Sequence, residues 1–364
     1  MVKGLARVIV RGRCVVLGAD VSNSLVRVRA WKALPFEVGP NCRLSAKLGR
    51  GGKMWWADPH HAGGCIWKGI AGKVLAALEN KTRVVVVILG DSDTGKSTLC
   101  TYLANIALGK GIAPCIIDGD IGQGDISPPT AIGAAVITQQ IVDLRDATPS
   151  FFGFIGSISP AGIEQHINNT IQSLCQKTRG LARLVIINTD GYVRDAGIIY
   201  KRMLADAIQP DIIVHLGSNP PLESELASGI WLLQSARSSE QAVKSRIERK
   251  WRRNDQFLRF AGKADFRANL AEITFRYLGT SYSASDLISA QTLECENLRD
   301  VFVGLGSHTD VSGFGVIKNV DRRVIDLVTD SDVFDTIYLS NIRLTGHGAE
   351  EFTLGMPGQI SRES

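Results

Sequence analysis

Long hydrophobic runs are missing from this chain of 364 residues, and nothing in it approaches the ~20 apolar residues that cross a bilayer. The N-terminal segment is interrupted by Lys3, Arg7, Arg11 and Arg13, so it lacks the unbroken apolar centre of a secretory leader. Cysteine is scarce and unordered: seven residues (Cys14, Cys42, Cys65, Cys100, Cys115, Cys175, Cys295), odd in number and without a Cys-x-x-Cys pair. That pattern argues against a disulfide frame and for buried thiols in a reducing compartment. The expectation is a cytoplasmic protein with no membrane partner. His60, His61 and Cys65 lie close together, yet no second ligand pair stands nearby, so a surface loop accounts for them better than a metal site. Neither sign of charge dominates. The 41 Lys and Arg face 36 Asp and Glu, a net +5 that permits a polyanionic partner without demanding one. Internal repeats and low-complexity segments are absent.

What is there suggests two or three domains. Hydrophobic content of 45% and charged content of 21% are ordinary for a globular chain. Residues 1–80 alternate apolar and polar at 6–11 and 24–29, the two-residue period of half-buried strands, with Gly- and Asn-rich turns between. They predict a small N-terminal β domain that ends in a short helix over 66–80. Short apolar runs at 84–89, 114–117, 184–188 and 211–216 alternate with helical patterns such as 98–110 and 163–178. This predicts a doubly wound parallel α/β sheet, whose ligands bind at the carboxyl ends of the strands. From 265 to 364 the pattern turns β-rich again, with strands expected at 271–277 and 336–340 and a loose tail over 359–364. The expected division is therefore 1–80, 81–264 and 265–364.

The octapeptide Gly90-Asp91-Ser92-Asp93-Thr94-Gly95-Lys96-Ser97 is a phosphate loop, G-x-x-x-x-G-K-[ST]. A buried strand precedes it and a helix beginning near Thr98 follows, with Gly111 as the expected stop. Backbone N–H groups and a helix N-terminus then point at one spot, which suits a nucleotide triphosphate. Lys96 is placed to reach the β- and γ-phosphates and Ser97 to ligate Mg²⁺. Residues Gly90 to Thr98 are the expected nucleotide contacts. No base-reading motif separates ATP from GTP.

A second strand ends in Asp118-Gly119-Asp120-Ile121-Gly122-Gln123-Gly124-Asp125. Carboxylates at i and i+2 on extended backbone point the same way. One can hold the metal and the other can accept a proton from an attacking hydroxyl; the sequence does not say which. A third strand ends in Asn188-Thr189-Asp190-Gly191-Tyr192. Asn188 occupies a position where many phosphate-loop proteins carry a metal-associated Asp, so the acid duty shifts to Asp118 and Asp120. Tyr192 either stacks on a base or is a half-buried loop tyrosine. Over 242–263, Val243, Ile247, Trp251 and Leu258 form one helical stripe, and Arg246, Arg249 and Arg253 lie on the face turned away, flanked by Lys250 and Arg252. Such a run is either a solvated face or a lid that lays arginines over phosphates.

Together these motifs resemble the polyribonucleotide 5′-hydroxyl kinases of RNA processing. The resemblance is carried by the phosphate loop, by D-x-D-x-G-Q at Asp118, Asp120, Gly122 and Gln123, and by Pro128-Pro129. A clasp motif T-x-G-W appears as Thr189-Asp190-Gly191-Tyr192, with Tyr in place of Trp. The basic helix is followed by Arg259-Phe260-Ala261-Gly262, where the family has an aromatic–glycine pair. The family's order of β, α/β and β domains is also matched. The resemblance implies a phosphate-loop NTPase fold flanked by two smaller β-rich domains, ATP and Mg²⁺ as cofactors, and phosphorylation of 5′-hydroxyl RNA or DNA. It implies catalytic roles for Lys96, Asp118, Asp120, Arg249 and Arg253, metal binding by Ser97 and Asp118, and RNA contacts from Gln123, Thr189, Gly191, Tyr192 and Arg252. RNA-processing proteins are the implied partners. Two rivals stay open: an ATP-binding scaffold without turnover, and a metabolite kinase or partition-type ATPase on the same sheet.

Overall fold

The β-branched run at 84–89 forms the strand Val84–Gly90, buried on both faces as its unbroken apolar character requires. The computed structural model describes residues 1–58, 64–217, 229–235, 243–289, 295–321, 323–354 and 356. His60 and His61 and the tail 359–364 lie outside the described residues; Cys65 falls at the start of the helix Gly64–Asn80. The chain divides into two compact units, one of Met1–Asp120, Ala134–Ser150 and Gln172–Glu248, the other of Ile121–Gly133, Phe151–Ile171 and Arg249–Ser364.

In the first unit a parallel sheet runs in the order Trp231–Ser235, Ile212–Leu216, Val84–Gly90, Leu184–Thr189, Pro114–Gly119. The strand Val84–Gly90 thus has its successors on both sides, a topological switch point where the carboxyl ends open a ligand site. The helix Lys96–Leu108 follows the phosphate loop directly. It stops two residues short of the sequence expectation. Gly111 sits just beyond it in the left-handed region, at φ +72°. The N-terminal strands are antiparallel throughout; Ala6–Arg11 pairs with Leu25–Val28 on one side and Arg43–Leu48 on the other. Buried and exposed side chains alternate strictly along Ala6–Arg11. Asn105, fully buried, ties this β region to the helix. Its carboxamide donates to the carbonyls of Leu17 (2.8 Å) and Ile141 (2.7 Å) and accepts from the Ile141 N–H (3.0 Å).

The second unit is built on a mostly antiparallel sheet in the order Phe151–Phe154, Val311–Val320, Val301–Gly306, Thr336–Thr345, Thr274–Tyr277, Thr280–Ser283. The strand expected at 271–277 opens instead as a 3₁₀ turn, Leu270–Glu272, because the Asn269 side chain accepts from the Ala271 N–H and caps it. An aromatic cluster fills one core. Phe257 meets Phe302 edge-on at 4.9 Å, and Phe302 stacks on Phe314 at 5.8 Å. Phe257 belongs to the helix Arg246–Phe260, and this contact decides which way that helix faces. The apolar stripe Val243, Ile247, Trp251 and Leu258 is 60–74% exposed, whereas Arg252, Gln256 and Phe257 are buried.

Candidate functional site

The phosphate loop adopts the backbone its glycines allow. Gly90 has φ +149°, and a Cβ there would lie 2.7 Å from the Leu216 carbonyl oxygen. Gly95, at φ +100°, begins the helix with no side chain capping it. The first N–H groups of the helix are therefore left for an anion. Lys96 is 7% exposed and folds back over its own loop, donating to the carbonyls of Gly90 (2.8 Å) and Asp91 (2.9 Å). Burial pushes its pKa down, opposed by the carboxylates of Asp120, Asp190 and Asp91. Each of the loop's own acids holds a fixed position. Asp91 accepts from the Ser92 N–H and pairs with Arg194 at 2.7 Å; Asp93 pairs with Lys244 at 2.5 Å. The Thr94 hydroxyl donates to the Asp91 carbonyl at 2.9 Å.

Adjacent strands bring the next residues to the same place. Register sets Asp118 opposite Asn188. The Asn188 carboxamide nitrogen donates to Asp118 at 2.7 Å and reaches Ser97 Oγ at 3.4 Å. Its oxygen is buried without a hydrogen-bond partner. Asp118 is fully buried, while Asp120 is half-buried and acts on both Lys96 and Lys201. The sequence left open which of the two acids is the base; their surroundings differ.

Beyond Asn188, the Thr189 hydroxyl donates to the Ile88 carbonyl at 2.8 Å, so it stitches two core strands together. A Cβ on Gly191 would lie 2.3 Å from Ser92 Oγ, a contact only glycine permits. Asp190, 5% exposed, holds the turn. It accepts from the Tyr192 N–H (2.8 Å), the Tyr200 hydroxyl (3.0 Å) and Lys201 Nζ (2.8 Å). Burial pushes the Lys201 pKa down, and Asp190 opposes that shift. The Tyr192 ring lies 6.4 Å from that of Tyr200, tilted by 35° and partly exposed. Sequence reasoning missed Lys201 and Tyr200, which sit on the following helix, Ala196–Ile208.

The remaining predicted residues belong to the second unit. Gln123 donates to the Arg249 carbonyl at 3.3 Å and accepts from Arg252 at 3.3 Å. Arg252, 6% exposed, pairs with the fully buried Asp125 carboxylate at 2.5 Å. Gln256 donates to the carbonyls of Gly124, Asp125 and Ser127. The basic helix is thereby clamped to the segment that follows the acidic motif. Arg249 and Arg253 are half-buried on this helix. No helix among the described residues is long and apolar enough to cross a membrane.

Residues 90–261 match the family of the mRNA cleavage and polyadenylation factor CLP1 P-loop. A polyribonucleotide 5′-hydroxyl-kinase of Pyrococcus horikoshii is 33% identical over 192 residues, 52% of this chain and 53% of that protein. That of Pyrococcus abyssi is 31% identical over 278 residues, 74% of this chain and 77% of that protein. The chain thus matches about half the length of the first relative and three quarters of the second. Two structures of Clp1p with Pcf11p share the fold at 14% identity, with TM-scores of 0.68 and 0.65, each covering 94% of this chain and 98% and 97% of theirs. With its phosphate loop, paired acids and doubly wound sheet in this arrangement, the chain belongs to the polyribonucleotide 5′-hydroxyl-kinase family.

Proposed function

We propose that the protein transfers the γ-phosphate of ATP to the 5′-hydroxyl of RNA, with DNA ends as a second acceptor. The observation that carries this reading is the bridge from Ser97 through Asn188 to Asp118, set beside Lys96. Ser97 Oγ, the Asp118 carboxylate and the unpartnered Asn188 oxygen are hard oxygen donors, a chemistry that fits Mg²⁺. A magnesium ion held there supplies charge neutralisation on the β- and γ-phosphates.

Each remaining role falls to the chain itself. The loop N–H groups of residues 90–98 cradle the phosphates, and a phosphate oxygen replaces the two carbonyls that Lys96 now binds. Asp120, more open than Asp118, orients the 5′-hydroxyl and accepts its proton. The hydroxyl oxygen bonds to the γ-phosphorus as the bond to the β,γ-bridging oxygen breaks, and ADP leaves. Arg249 and Arg253 neutralise the transferring group. Gln123, Gly191 and Tyr192 hold the terminal nucleotide, while Thr189, Asp190 and Arg252 fix the segments that carry them. Positioning and charge neutralisation carry the rate, because phosphoryl transfer asks for little covalent chemistry from the protein. We assign this work to a domain over 81–264, between β domains over 1–80 and 265–364. Clp1p is found with Pcf11p, and a protein of RNA processing belongs to the same proposal as a partner.

Single turnover with γ-labelled ATP tests it. Label is expected on 5′-hydroxyl RNA and not on RNA that already bears a 5′-phosphate. Tight ATP binding with no transfer to any polynucleotide end would replace the kinase with a scaffold.

A further inference from the structure

The exposed face of the N-terminal sheet carries a charge pattern that folding disfavours. In the order Leu25–Val28, Ala6–Arg11, Arg43–Leu48, every outward residue can be placed by register. Arg27, Arg7 and Lys47 stand directly opposite one another in a row across three strands. Arg11 and Arg43 form a second row, four residues farther along, about 13 Å away at the rise of a strand. Between the rows lie Leu25, Ile9 and Ser45, with Leu25 53% and Ile9 48% exposed. The outward face thus holds five cations and no carboxylate. Like charges directly opposite destabilise a strand pair, so these positions cost stability that a ligand can recover.

The edge strand Leu25–Val28 also opens onto a trough of about 740 Å³, whose lining includes Arg7, Leu25, Arg27, Gln139 and Gln140. Two acids also line it: Asp146 pairs at 2.6 Å with Arg29, itself part of the lining, and Asp20 accepts from the Ser22 N–H at 2.9 Å. With Arg29 and Asp146 paired, Arg7 and Arg27 outnumber the one remaining carboxylate of the lining, Asp20, so the trough keeps a net positive charge for an anion.

We propose that this sheet face binds the sugar–phosphate backbone of a single-stranded RNA downstream of its reacting 5′ end. Two cationic rows take phosphates, and the apolar row between them meets bases and riboses. A polynucleotide suits the face better than an acidic protein does, because evenly spaced charge alternates in it with flat apolar bodies. The contacts are to backbone, so the face adds affinity without sequence preference. This rests on the reading that the substrate is a polynucleotide.

Binding of full-length protein to 5′-phosphorylated single strands, long and trinucleotide, tests the surface without requiring catalysis. The variant R7Q/R27Q/K47Q is expected to lose about tenfold or more in affinity for the long strand at low salt, with the slope of log K against log salt shallower by about 2. Trinucleotide affinity is expected to stay the same, and the melting temperature to stay level or rise. R11Q/R43Q gives an independent second reading of the face. An unchanged salt slope, or equal losses on long and short strands, overturns the proposal. So does competition by polyglutamate but not by RNA, which would assign the face to an acidic protein. Failure of the kinase reading shows separately, as wild-type protein that binds the long strand but transfers no phosphate to a 5′-hydroxyl trinucleotide.

Discussion

The phosphate-loop site and the N-terminal sheet face both concentrate positive charge, and they hold it in opposite ways. Around the loop, Lys96, Lys201 and Lys244 are largely buried, and each has a named oxygen within 2.5–2.9 Å. On the sheet, Arg7, Arg27 and Lys47 are exposed, face one another and pair with no carboxylate among the described residues. Burial lowers the local dielectric, so a fixed cation acts strongly over a few ångströms and salt screens it little. An exposed cation acts weakly per contact, and its reach is cut at about 8 Å in physiological salt. The first arrangement suits chemistry on one phosphate; the second suits holding a long chain of them.

The sharpest test of that contrast is removal of a cation from the buried side. Lys96→Ala is expected to abolish phosphate transfer while the melting curve persists, and raising salt in the assay should not reproduce its effect. Full activity in a labelled-ATP assay would remove Lys96 from the site. Arg249→Ala follows, with an expected fall in kcat of about 10³-fold if it acts as an arginine finger. If only RNA affinity and its salt slope move, Arg249 belongs with the backbone-holding cations.

Stability separates the two regions as well. Lys201 has no exposed side-chain surface and Asp190 little, so Lys201→Met strands a carboxylate that has lost its cation. The expected cost is about 3–5 kcal/mol in denaturant unfolding, because an unpaired buried charge is worse than none. The double variant Asp190→Leu with Lys201→Met should recover much of that loss. Even so, its affinity for RNA ends should fall, since the Tyr192 turn loses its anchor. Equal destabilisation by the single and double variants would show that the pair does not act as a unit.

The contrast also marks what the sequence could and could not disclose. Gly90 and Gly95 were readable because a loop's backbone is fixed by its own residues. Lys201 was not, because its partner Asp190 is reached only when the helix Ala196–Ile208 packs against the sheet. Asn188 was noticed for the charge it lacks; the bridge it makes to Ser97 and Asp118 required the strand register. The helix Arg246–Phe260 was legible as a helix from its period, but its orientation was not. Phe257 and Gln256 bury one side, and the apolar stripe is left outward. The strand Val311–Val320 escaped notice because Gly313 and Gly315 break its alternation.

A middle-sized effect belongs to Tyr192, which stands between the two regimes as a partly exposed ring fixed by a buried carboxylate. Tyr192→Ala is expected to weaken RNA binding by about 1–3 kcal/mol, the worth of one stacked base. Tyr192→Trp should restore it or improve on it. An unchanged KM for RNA would make Tyr192 a packing residue beside Tyr200.

The smallest effect is the most particular to the open face. Arg11 stands directly opposite Arg43 in the strand register, and both are exposed. If their repulsion is real, Arg11→Thr should raise the melting temperature slightly at low salt, because threonine suits a strand and removes one of two facing charges. The gain should vanish at high salt, where the wild-type pair is already screened. Addition of single-stranded RNA should reverse the order, stabilising wild type more than the variant, since only the wild type keeps both cations for phosphates. A loss of stability at every salt concentration would mean that Arg11 supports the fold through its aliphatic stem, and the sheet face would then owe its charge to packing rather than to a ligand.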